Sequence, residues 1–308
     1  MTGKICGTGA YIPAKILDNE ALSKLVDTSD EWIRSRTGIR RRHIAGEKET
    51  VAFMAGEAAK AALQNAKLNG SAVELILAAT MSAEEAMPGV AARVQQTIGA
   101  KGAASFDINS ACTGFLAALN TAQTYIEAGI YKTVLVVGAE KLSSLVDWKD
   151  RNSCILFGDG AGAVVLKADP EGLYVQVSHS EGEKGQALTA PKNGFLQMDG
   201  RAVFEFAVSR VPEVIREVLK KAGIEKEEVD FYLLHQANRR IISAAAKRLG
   251  LEEERFPMNM EEYGNTSAAS IPILLYEENR RGKLKKDSLL VLSGFGGGLT
   301  YGASLLRW

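Results

Sequence analysis

"GAASFDINSACTGFLAALNTAQTYIEAG" (residues 102–129) decides the fold class, because it joins a strand-like segment to a helical pattern through one cysteine. After Cys112, apolar residues recur at helical spacing, as at Phe115, Leu116 and Leu119. A strand followed at once by a helix is typical of α/β folds and puts the Cys112 thiol at a helix N-terminus. Unpaired N–H groups and the helix dipole favour a thiolate there, so we expect a pKa below the ordinary value of about 8.5.

The rest of the chain continues the alternation of strands and helices. Aliphatic runs at residues 73–80, 132–140 and 161–168 predict buried strands, and "VAFMAGEAAKAALQNA" (51–66) predicts a helix between them. The second half has the same kinds of element: strands in "LYVQVSH", "VDFYLLH", "SLLVLSGFG" and "LTYGASLLRW", and helices in "VPEVIREVLKKAG" and "RRIISAAAKRLG". In the first of these helices we expect Pro212 near the start and Gly223 just past the end.

The two halves show the same order of predicted strands and helices, which suggests an internal duplication. In each half an apolar strand preceded by an acidic residue, "AVELILAAT" or "EVDFYLLHQ", is followed by a helix and then by a strand that a lysine precedes. We therefore expect a boundary near residue 170. This division puts the cysteine in residues 1–170 and the candidate histidine and asparagine in residues 171–308.

Composition excludes several classes of protein. The 308 residues are 46% hydrophobic, and 37 Lys and Arg balance 37 Asp and Glu, so bulk charge does not predict a nucleic-acid-binding surface. The sequence has no signal-like segment and no apolar run near the about 20 residues that span a bilayer, so we expect a cytoplasmic protein without a membrane segment. Cys6, Cys112 and Cys154 form no C-x-x-C pair, which argues against a disulfide framework or a structural zinc site.

Three polar stretches could supply chemistry beside the Cys112 thiol. "LLHQAN" has His235 and Asn238 where an aliphatic strand stops, "YGNTSAASIP" contains Asn265, and "GFGGGLTYG" (294–302) is a glycine loop between strands. Taken singly, each has an ordinary structural explanation as a strand end, a cap or a hairpin. Together they offer a thiol, an imidazole, an amide and free backbone N–H groups, which is what attack on a thioester requires.

With these residues in place, the sequence closely resembles the β-ketoacyl-[acyl-carrier-protein] synthase III family of initiating condensing enzymes, within the thiolase superfamily. The matching motifs span the chain: "DEWIRSRTGIRRRHI" (30–44), "INSACTGF" (108–115), "GAE" (138–140), "WKDRNSCILFGDGAGAVVL" (148–166), "QMDGRAVFEFAV" (197–208), "LLHQANRRII" (233–242), "YGNTSAASIP" (263–272) and the 294–302 loop. The resemblance implies a five-layered αβαβα fold of two similar halves and a homodimer. It also implies Cys112, His235 and Asn265 as the catalytic residues, with the backbone amides of Cys112 and Gly297 as the oxyanion hole.

The implied reaction has two halves. An acyl-CoA primer acylates Cys112 and CoA leaves; malonyl-acyl-carrier-protein then loses CO2, and its carbanion attacks the acyl-enzyme to give a 3-oxoacyl product. His235 and Asn265 would donate hydrogen bonds to the malonyl thioester oxygen as negative charge builds there. No metal or redox cofactor is called for. We interpret the remaining histidines and cysteines as structural: His43, His179, Cys6 and Cys154.

The resemblance also assigns residues to coenzyme A. Trp32 matches the position that stacks on adenine, Arg36 and Arg151 match positions at the nucleotide end, and Asn238 matches one that lines the pantetheine tunnel. Alone, "RSRTGIRRR" is an ordinary solvated basic face. The full-chain resemblance makes it a candidate binding surface.

An acidic carrier protein needs a basic docking surface. Arg240, Lys247 and Arg248 lie on the helix after "HQAN" at spacings of seven and eight residues, and so on one side of it. Glu205 departs from the family pattern, which often has a basic residue there, and this leaves one docking contact in doubt.

Met87 matches a position that projects from the partner subunit into the acyl pocket. Members restricted to acetyl primers often have phenylalanine there. Because methionine is flexible, we predict that the pocket admits a longer or branched primer.

Other functions remain open from the residues. Extender synthases use two histidines, whereas this sequence has only His235 in a motif. Hydroxymethylglutaryl-CoA synthases add a catalytic glutamate at a strand end, and here Glu84 and Glu85 lie only in the loop that follows. A papain-like hydrolase would need a cysteine motif that this sequence lacks. The presence of Cys112 together with His235 and Asn265 argues against a non-catalytic scaffold. A specialised synthase of secondary metabolism is hardest to separate, because it could use the same three residues.

Overall fold

The computed structural model describes the chain from Met1 to Trp308. The strands are β1 (Thr2–Tyr11), β2 (Ile16–Asp18), β3 (Arg41–His43), β4 (Leu75–Ala79), β5 (Ala104–Ile108), β6 (Thr133–Lys141), β7 (Asp159–Asp169), β8 (Tyr174–Ser180), β9 (Leu188–Thr189), β10 (Gln197–Met198), β11 (Phe231–Leu234), β12 (Leu289–Gly296) and β13 (Thr300–Arg307). The helices are α1 (Asn19–Ser23), α2 (Asp30–Thr37), α3 (Val51–Ala66), α4 (Val90–Ile98), α5 (Gly114–Glu127), α6 (Arg151–Cys154), α7 (Gly200–Ala222), α8 (Arg239–Leu249), α9 (Met260–Tyr263) and α10 (Ser270–Arg280). The predicted strands and the helix over 51–66 are confirmed.

Two sheets form the centre of the molecule. The first has the strand order β1-β7-β6-β4-β5, with β4 parallel to β5 and β6, and β7 antiparallel to β6 and β1. The second has the order β8-β13-β12-β11, with β11 parallel to β12 and the other pairs antiparallel. The second sheet therefore repeats the order and directions of β1-β7-β6-β4 in the first.

Helices cover both faces of both sheets, because each sheet is apolar on its two sides. Helices α3 and α4 pack on the outer face of the first sheet, α5 and α10 fill the space between the sheets, and α7 and α8 pack on the outer face of the second. Each of these three helix layers belongs to its own buried apolar cluster. The result is five layers, αβαβα, as the resemblance implied.

Helix α7 corrects one expectation from the sequence. It begins at Gly200, so Pro212 lies in its interior rather than near its start, while Gly223 ends it with φ +67° as expected. Proline has no N–H, so the carbonyl of Val208, four residues earlier, lacks its helical donor. Arg248 Nη1 donates to that carbonyl at 2.9 Å, which satisfies the oxygen and lets the helix continue through Pro212.

None of the helices combines the length and the hydropathy that a bilayer crossing requires.

Candidate active site

A single cavity of about 1000 Å³ contains the three predicted catalytic residues. Cys112, His235 and Asn265 all line it, together with Gly297 from the loop between β12 and β13. These residues come from four separate stretches of the chain. The fold therefore brings the thiol, the imidazole, the amide and the glycine loop to one place.

Cys112 lies at the junction between β5 and α5. It is the middle residue of the 3₁₀ turn Ala111–Thr113, directly before α5, and only 7% of its surface is exposed. Ala111 has φ +45°, a left-handed conformation that side chains other than glycine rarely adopt. A Cβ on Gly296 would lie 2.8 Å from the Cys112 Cβ, so only glycine lets the end of β12 approach the cysteine this closely.

The pKa of Cys112 differs from the sequence prediction. Burial raises the pKa of the thiol to about 12, a hydrogen bond with Ser267 opposes this rise, and the negative charge of Glu140 adds to it. The expectation of a lowered pKa is wrong, because the cost of burying a thiolate outweighs the helix N-terminus. The free thiol is therefore protonated near pH 7 and must give up a proton before it can act as a thiolate.

His235 follows β11 and is held on two sides. Its backbone N–H donates to Ser293 O at 2.8 Å, and its Nδ1 atom lies 2.7 Å from Ser270 Oγ. Burial lowers the pKa of the imidazole to about 3, so the ring is neutral near pH 7. Ser270 Oγ also accepts a longer hydrogen bond, 3.4 Å, from the Gln236 N–H, and its own proton can be donated to His235 Nδ1. In that arrangement the proton of the ring is on Nε2, which has no partner within the chain.

Asn265 is oriented by the turn that follows it. Its Oδ1 accepts from the Ser267 N–H at 2.9 Å, so the amide nitrogen is the end left without a partner. Its backbone pairs with the segment before β7: the Asn265 N–H donates to Leu156 O, and the Gly158 N–H donates to Asn265 O. Asn265 and His235 can therefore each offer a neutral N–H donor to a group in the cavity.

The glycine loop contributes a backbone donor. The Gly297 N–H has no acceptor within the chain, and the Gly297 carbonyl accepts from Thr300 Oγ1 at 3.2 Å. Gly298, the next residue, has φ +122°, which favours glycine. The Gly297 N–H is free to donate a hydrogen bond to an oxygen that becomes negative in the cavity.

Comparisons with known proteins show which family the chain belongs to. The family model for 3-oxoacyl-[acyl-carrier-protein] synthase III matches residues 106–182, and the model for its C-terminal part matches residues 219–308. The chain is 49% identical to a β-ketoacyl-[acyl-carrier-protein] synthase III of Aquifex aeolicus, with 100% of both chains covered, and 48% identical to one of Bacillus anthracis, with 99% and 98% covered. The chain belongs to the β-ketoacyl-[acyl-carrier-protein] synthase III family.

Solved structures give the same result. The crystal structure of the Aquifex aeolicus synthase III superposes with a TM-score of 0.97 at 48% identity, covering 99% of this chain and 100% of that one. The priming β-ketosynthase of the R1128 polyketide pathway superposes with a TM-score of 0.94 at 33% identity, covering 99% and 96%. The synthase III fold, a condensing-enzyme fold, is thus shared along the whole chain.

The residues that the synthase III resemblance assigns to coenzyme A cluster at one side of the cavity. Arg36 and Asn238 line it, whereas Trp32 and Arg151 lie outside the lining. The guanidinium carbons of Arg36 and Arg151 lie 4.6 and 5.0 Å from the centre of the Trp32 ring. Asn238 also caps α8, since its Oδ1 accepts from the Arg240 N–H and its Nδ2 donates to Arg36 O. Both ends of the Asn238 amide therefore already form hydrogen bonds within the chain.

The three predicted docking residues have different settings. Arg240 lines the cavity, and its guanidinium lies 4.9 Å from the centre of the Phe204 ring. Lys247 is exposed, whereas Arg248 donates to Val208 O as described above. Glu205, where the synthase III family often has a basic residue, pairs with Arg201 at 2.8 Å.

Met87 does not line the cavity of its own chain. It is 83% exposed, in the segment between β4 and α4. The prediction that it reaches an acyl pocket therefore requires a second copy of the chain.

Three residues that support the site were not singled out from the sequence. Glu140, Ser267 and Ser270 are buried and bond to one another or to the predicted catalytic residues. Glu140 ends the motif "GAE", and both serines belong to "YGNTSAASIP". Two features of the sequence could have indicated these residues: a glutamate at the end of an apolar strand, and the small polar residues that follow Asn265.

The other candidate residues have structural contacts. His43 Nδ1 lies 2.6 Å from Pro13 O, and His179 pairs with Glu217 at 2.8 Å. Cys154 is buried, but Cys6 is exposed, which corrects its interpretation as a packing residue. Cys6 sits where the β1–β7 register shifts, and its thiol donates to Val165 O.

Glu84 and Glu85 do not reach the site. Glu84 accepts from the Val51 N–H at the start of α3, and Glu85 pairs with Arg93. No cluster of three or more His, Cys, Asp or Glu side chains that could hold a metal ion occurs in the chain.

Proposed function

We propose that the chain initiates fatty-acid synthesis by the two-step condensation of the synthase III family, with Cys112 as nucleophile and His235 and Asn265 as hydrogen-bond donors. One observation carries the proposal: the thiol shares a cavity with two neutral N–H donors that the protein leaves without partners. A thiol serves acyl transfer, and neutral donors serve a developing negative charge.

In the first step the Cys112 sulfur attacks the carbonyl carbon of an acyl-CoA thioester. The bond to the CoA sulfur breaks, the acyl group stays on Cys112, and the thiol proton goes in the end to the CoA thiolate. The Cys112 and Gly297 backbone N–H groups stabilise the tetrahedral oxyanion. The absence of an internal acceptor for the Gly297 N–H supports its role.

In the second step malonyl-acyl-carrier-protein enters and loses CO2. The electron pair from the broken carbon–carbon bond moves into the thioester, and its oxygen gains negative charge. His235 Nε2 and Asn265 Nδ2 donate to that oxygen, and the carbanion then attacks the acyl group on Cys112. A neutral imidazole suits this role, since it donates a hydrogen bond without needing to gain or lose a proton.

We propose no metal or redox cofactor for this reaction. Thioester exchange transfers an acyl group without a change of oxidation state, and loss of CO2 drives the carbon–carbon bond formation. The cavity residues provide the hydrogen-bond donors that both steps need.

We propose that coenzyme A binds across Trp32 and the mouth of the cavity. Trp32 gives its adenine a flat surface, Arg36 and Arg151 face its phosphates, and Asn238 meets the pantetheine arm. The acidic carrier protein docks on Arg240 and Lys247, with Arg248 adding charge beside them. The pairing of Glu205 with Arg201 removes one positive charge from this surface, so we expect the docking to rest mainly on α8.

We propose a homodimer in which Met87 of each copy enters the acyl pocket of the other. Strand β5 is an outer strand of the first sheet, and Phe106 on it is 40% exposed, as expected of a strand that another chain covers. An exposed Met87 is consistent with the same interface. A flexible methionine at that position favours primers longer than acetyl or branched, which rates with acetyl-CoA, butanoyl-CoA and isobutyryl-CoA would test.

We also propose that the halves 1–170 and 171–308 arose by duplication and that the protein is cytoplasmic. The repeated strand order of the two sheets supports the first point. Three free cysteines support the second, because unpaired thiols are typical of a reducing compartment.

A role in secondary metabolism is the second candidate. The 33% identity to the priming β-ketosynthase of a polyketide pathway favours it, although the identity to fatty-acid synthases III is higher. The two candidates share the first step and differ in the carrier protein that accepts the product.

Intact-mass spectrometry tests the proposal. The wild type and Cys112→Ser are incubated with several acyl-CoAs, and malonyl-acyl-carrier-protein is then added. We expect an acyl adduct on the wild type alone, which malonyl-acyl-carrier-protein removes. An adduct that only water removes would indicate a hydrolase, and no adduct with any primer would contradict the proposal.

A further inference from the structure

The two backbone N–H groups of the proposed oxyanion hole come from different halves of the chain. Cys112 lies in the 3₁₀ turn Ala111–Thr113, and Gly297 lies in the loop between β12 and β13. These segments approach each other closely, since a Cβ on Gly296 would lie 2.9 Å from the Cys112 backbone nitrogen. One oxyanion can take both hydrogen bonds only if the distance between the two segments is held constant.

The glycine loop cannot hold that distance by itself. Residues 296–298 are three successive glycines, and glycine restricts the backbone less than any other residue. Two hydrogen bonds hold the loop: Thr300 Oγ1 donates to Gly297 O at 3.2 Å, and the Glu181 N–H donates to Leu299 O at 2.8 Å. Of the two donors, only the Thr300 side chain bonds to Gly297 itself.

Thr300 also contacts the turn that carries the nucleophile. Its Oγ1 atom lies 2.8 Å from Thr113 Oγ1, although the two residues are 187 positions apart in sequence. Thr113 is buried, and its Oγ1 also lies 2.8 Å from the carbonyl oxygen and from the hydroxyl of Ser110. Two side-chain hydroxyls therefore connect the residue after Cys112 to the loop that carries Gly297.

One arrangement of the hydroxyl protons gives every acceptor in this group a donor. Because each hydroxyl donates once, Ser110 donates to Thr113 Oγ1, Thr113 donates to Thr300 Oγ1, and Thr300 donates to Gly297 O. The Ser110 carbonyl still accepts from the Thr113 N–H at 3.0 Å. With Thr113 donating to that carbonyl instead, either the contact between the two threonines or the Gly297 carbonyl would have no proton.

Dense packing does not hold the two threonines in place. A second cavity of about 220 Å³ borders both of them, and residues Ser178, His179 and Ser180 line its other side. Thr300 lines this cavity as well as the main one. With open space at two sides, the Thr300 side chain is restrained by its hydroxyl contacts rather than by close-packed neighbours.

We propose that Thr300 is a positioning residue for acyl transfer: its hydrogen bonds to Thr113 and to Gly297 O hold the Gly297 N–H at a fixed distance from the Cys112 N–H, so that one oxyanion takes both. Thr300 gives its proton to the Gly297 carbonyl and so acts on the reaction only through that residue. This inference rests on the proposed role of Cys112 as the nucleophile.

Four variants separate this role from a structural one. Thr300→Val removes the hydroxyl and keeps the branched shape of the side chain, whereas Thr300→Ser keeps the hydroxyl. Thr113→Val breaks the link from its other end, which keeps the inference testable if Thr300→Val folds poorly. Thr121→Val is the matched control: the Thr121 hydroxyl, on α5, also donates to a carbonyl, Ala117 O at 2.8 Å, but Thr121 lines neither cavity.

The first readout is hydrogen exchange of backbone N–H groups in the full chain, measured by mass spectrometry of the peptide that covers residues 294–302. Gly296 and Thr300 form the last pair of the β12–β13 ladder. In Thr300→Val and Thr113→Val we expect this end of the ladder to exchange about fivefold faster, with no change in Thr300→Ser or Thr121→Val. Unchanged exchange in both valine variants of the link, or equal acceleration in Thr121→Val, would overturn the inference.

The second readout compares the two steps of the reaction. Single-turnover acylation over a range of acyl-CoA concentrations and decarboxylation of malonyl-acyl-carrier-protein are measured in the same variants. In Thr300→Val we expect the maximal acylation rate to fall about tenfold and the half-saturating concentration to stay within about twofold, because oxyanion donors stabilise the transition state rather than the bound substrate. Thr300→Ser should recover most of the rate. Decarboxylation should change less, because His235 and Asn265 serve that step.

The outcomes distinguish this inference from the proposed function. Equal losses of acylation and decarboxylation in Thr300→Val, or a rise in the half-saturating concentration alone, would show that the role of Thr300 is structural or in binding. A normal acylation rate in Thr300→Val would overturn the inference and leave the proposed function standing. If the wild type is not acylated by any acyl-CoA, the proposed function fails, whereas the exchange rates still decide whether the two hydroxyls hold the loop.

Discussion

The Nδ1 atom of His235 lies 2.7 Å from the Ser270 hydroxyl, deep in the wall of the cavity. This pair sets which nitrogen of the imidazole carries the proton. With Ser270 donating to Nδ1, the Nε2–H is the end left to meet a substrate oxygen. The donor that we propose for decarboxylation thus depends on a serine that does not line the cavity itself.

Ser270→Ala is therefore expected to slow the decarboxylation of malonyl-acyl-carrier-protein about tenfold, since one hydrogen bond that orients the ring is lost. Acylation of Cys112 should change less than decarboxylation. Ser304→Ala, which also removes a buried serine hydroxyl, is the control. An equal effect of both substitutions would show that the loss is structural.

The lowered pKa of His235 predicts the pH dependence of the same step. Burial favours the neutral ring, so His235 stabilises the fold fully above its unfolded pKa of about 6.5, and this stability is lost as the pH falls toward 3. Decarboxylation should therefore show no inflection near pH 6.5. Rates measured from pH 5 to 8 would test this, and a loss of activity with an apparent pKa near 6.5 would contradict a neutral donor.

Trp32 is expected to contribute to the binding of coenzyme A rather than to the chemistry. Trp32→Ala should raise KM for acyl-CoA about tenfold and leave kcat within about twofold, because stacking on a base contributes about 1–3 kcal/mol. Trp32→Phe keeps an aromatic face and should recover most of the affinity. The two variants are compared by steady-state kinetics, and a fall in kcat with KM unchanged would refute the assignment.

Replacing Arg248 and Lys247 by alanine, one at a time, should have different effects on stability and on carrier-protein binding. Arg248→Ala loses the donor to Val208 O and should lower the free energy of unfolding by about 1 kcal/mol. Lys247→Ala should leave stability unchanged and raise KM for the carrier protein. Pro212→Ala restores an N–H for the Val208 carbonyl, so Arg248→Ala should cost less in that background. Denaturant unfolding of the single and double variants measures the coupling.

The sequence predicts the layers well because periodicity reports burial. Strand β4 is apolar throughout and β6 is apolar over residues 134–139, and α3 spans the residues that its pattern indicates. Pro212 was misplaced because the compensating donor, Arg248, lies on another helix. A tertiary hydrogen bond of this kind leaves no local pattern.

The sequence predicts residues that prove to share one cavity, but it does not predict their electrostatics. The sequence pattern predicts Cys112 at a helix N-terminus, which the structure confirms. The same pattern does not show how deeply the thiol is buried, nor that the Glu140 carboxylate lies near it. Ser267 and Glu140 are more than 100 residues apart in sequence. Their hydrogen bond forms only once the two halves of the chain pack against each other.

The most direct test of the proposed condensation traces the acyl carbons of the primer into the product. The full chain is incubated with an acyl-CoA whose acyl carbons are ¹³C-labelled and with malonyl-acyl-carrier-protein, and the carrier protein is weighed. The account predicts a 3-oxoacyl group on the carrier that keeps every labelled carbon and has lost one CO2 from the malonyl unit. Labelled free acid beside an unchanged malonyl-carrier would contradict it.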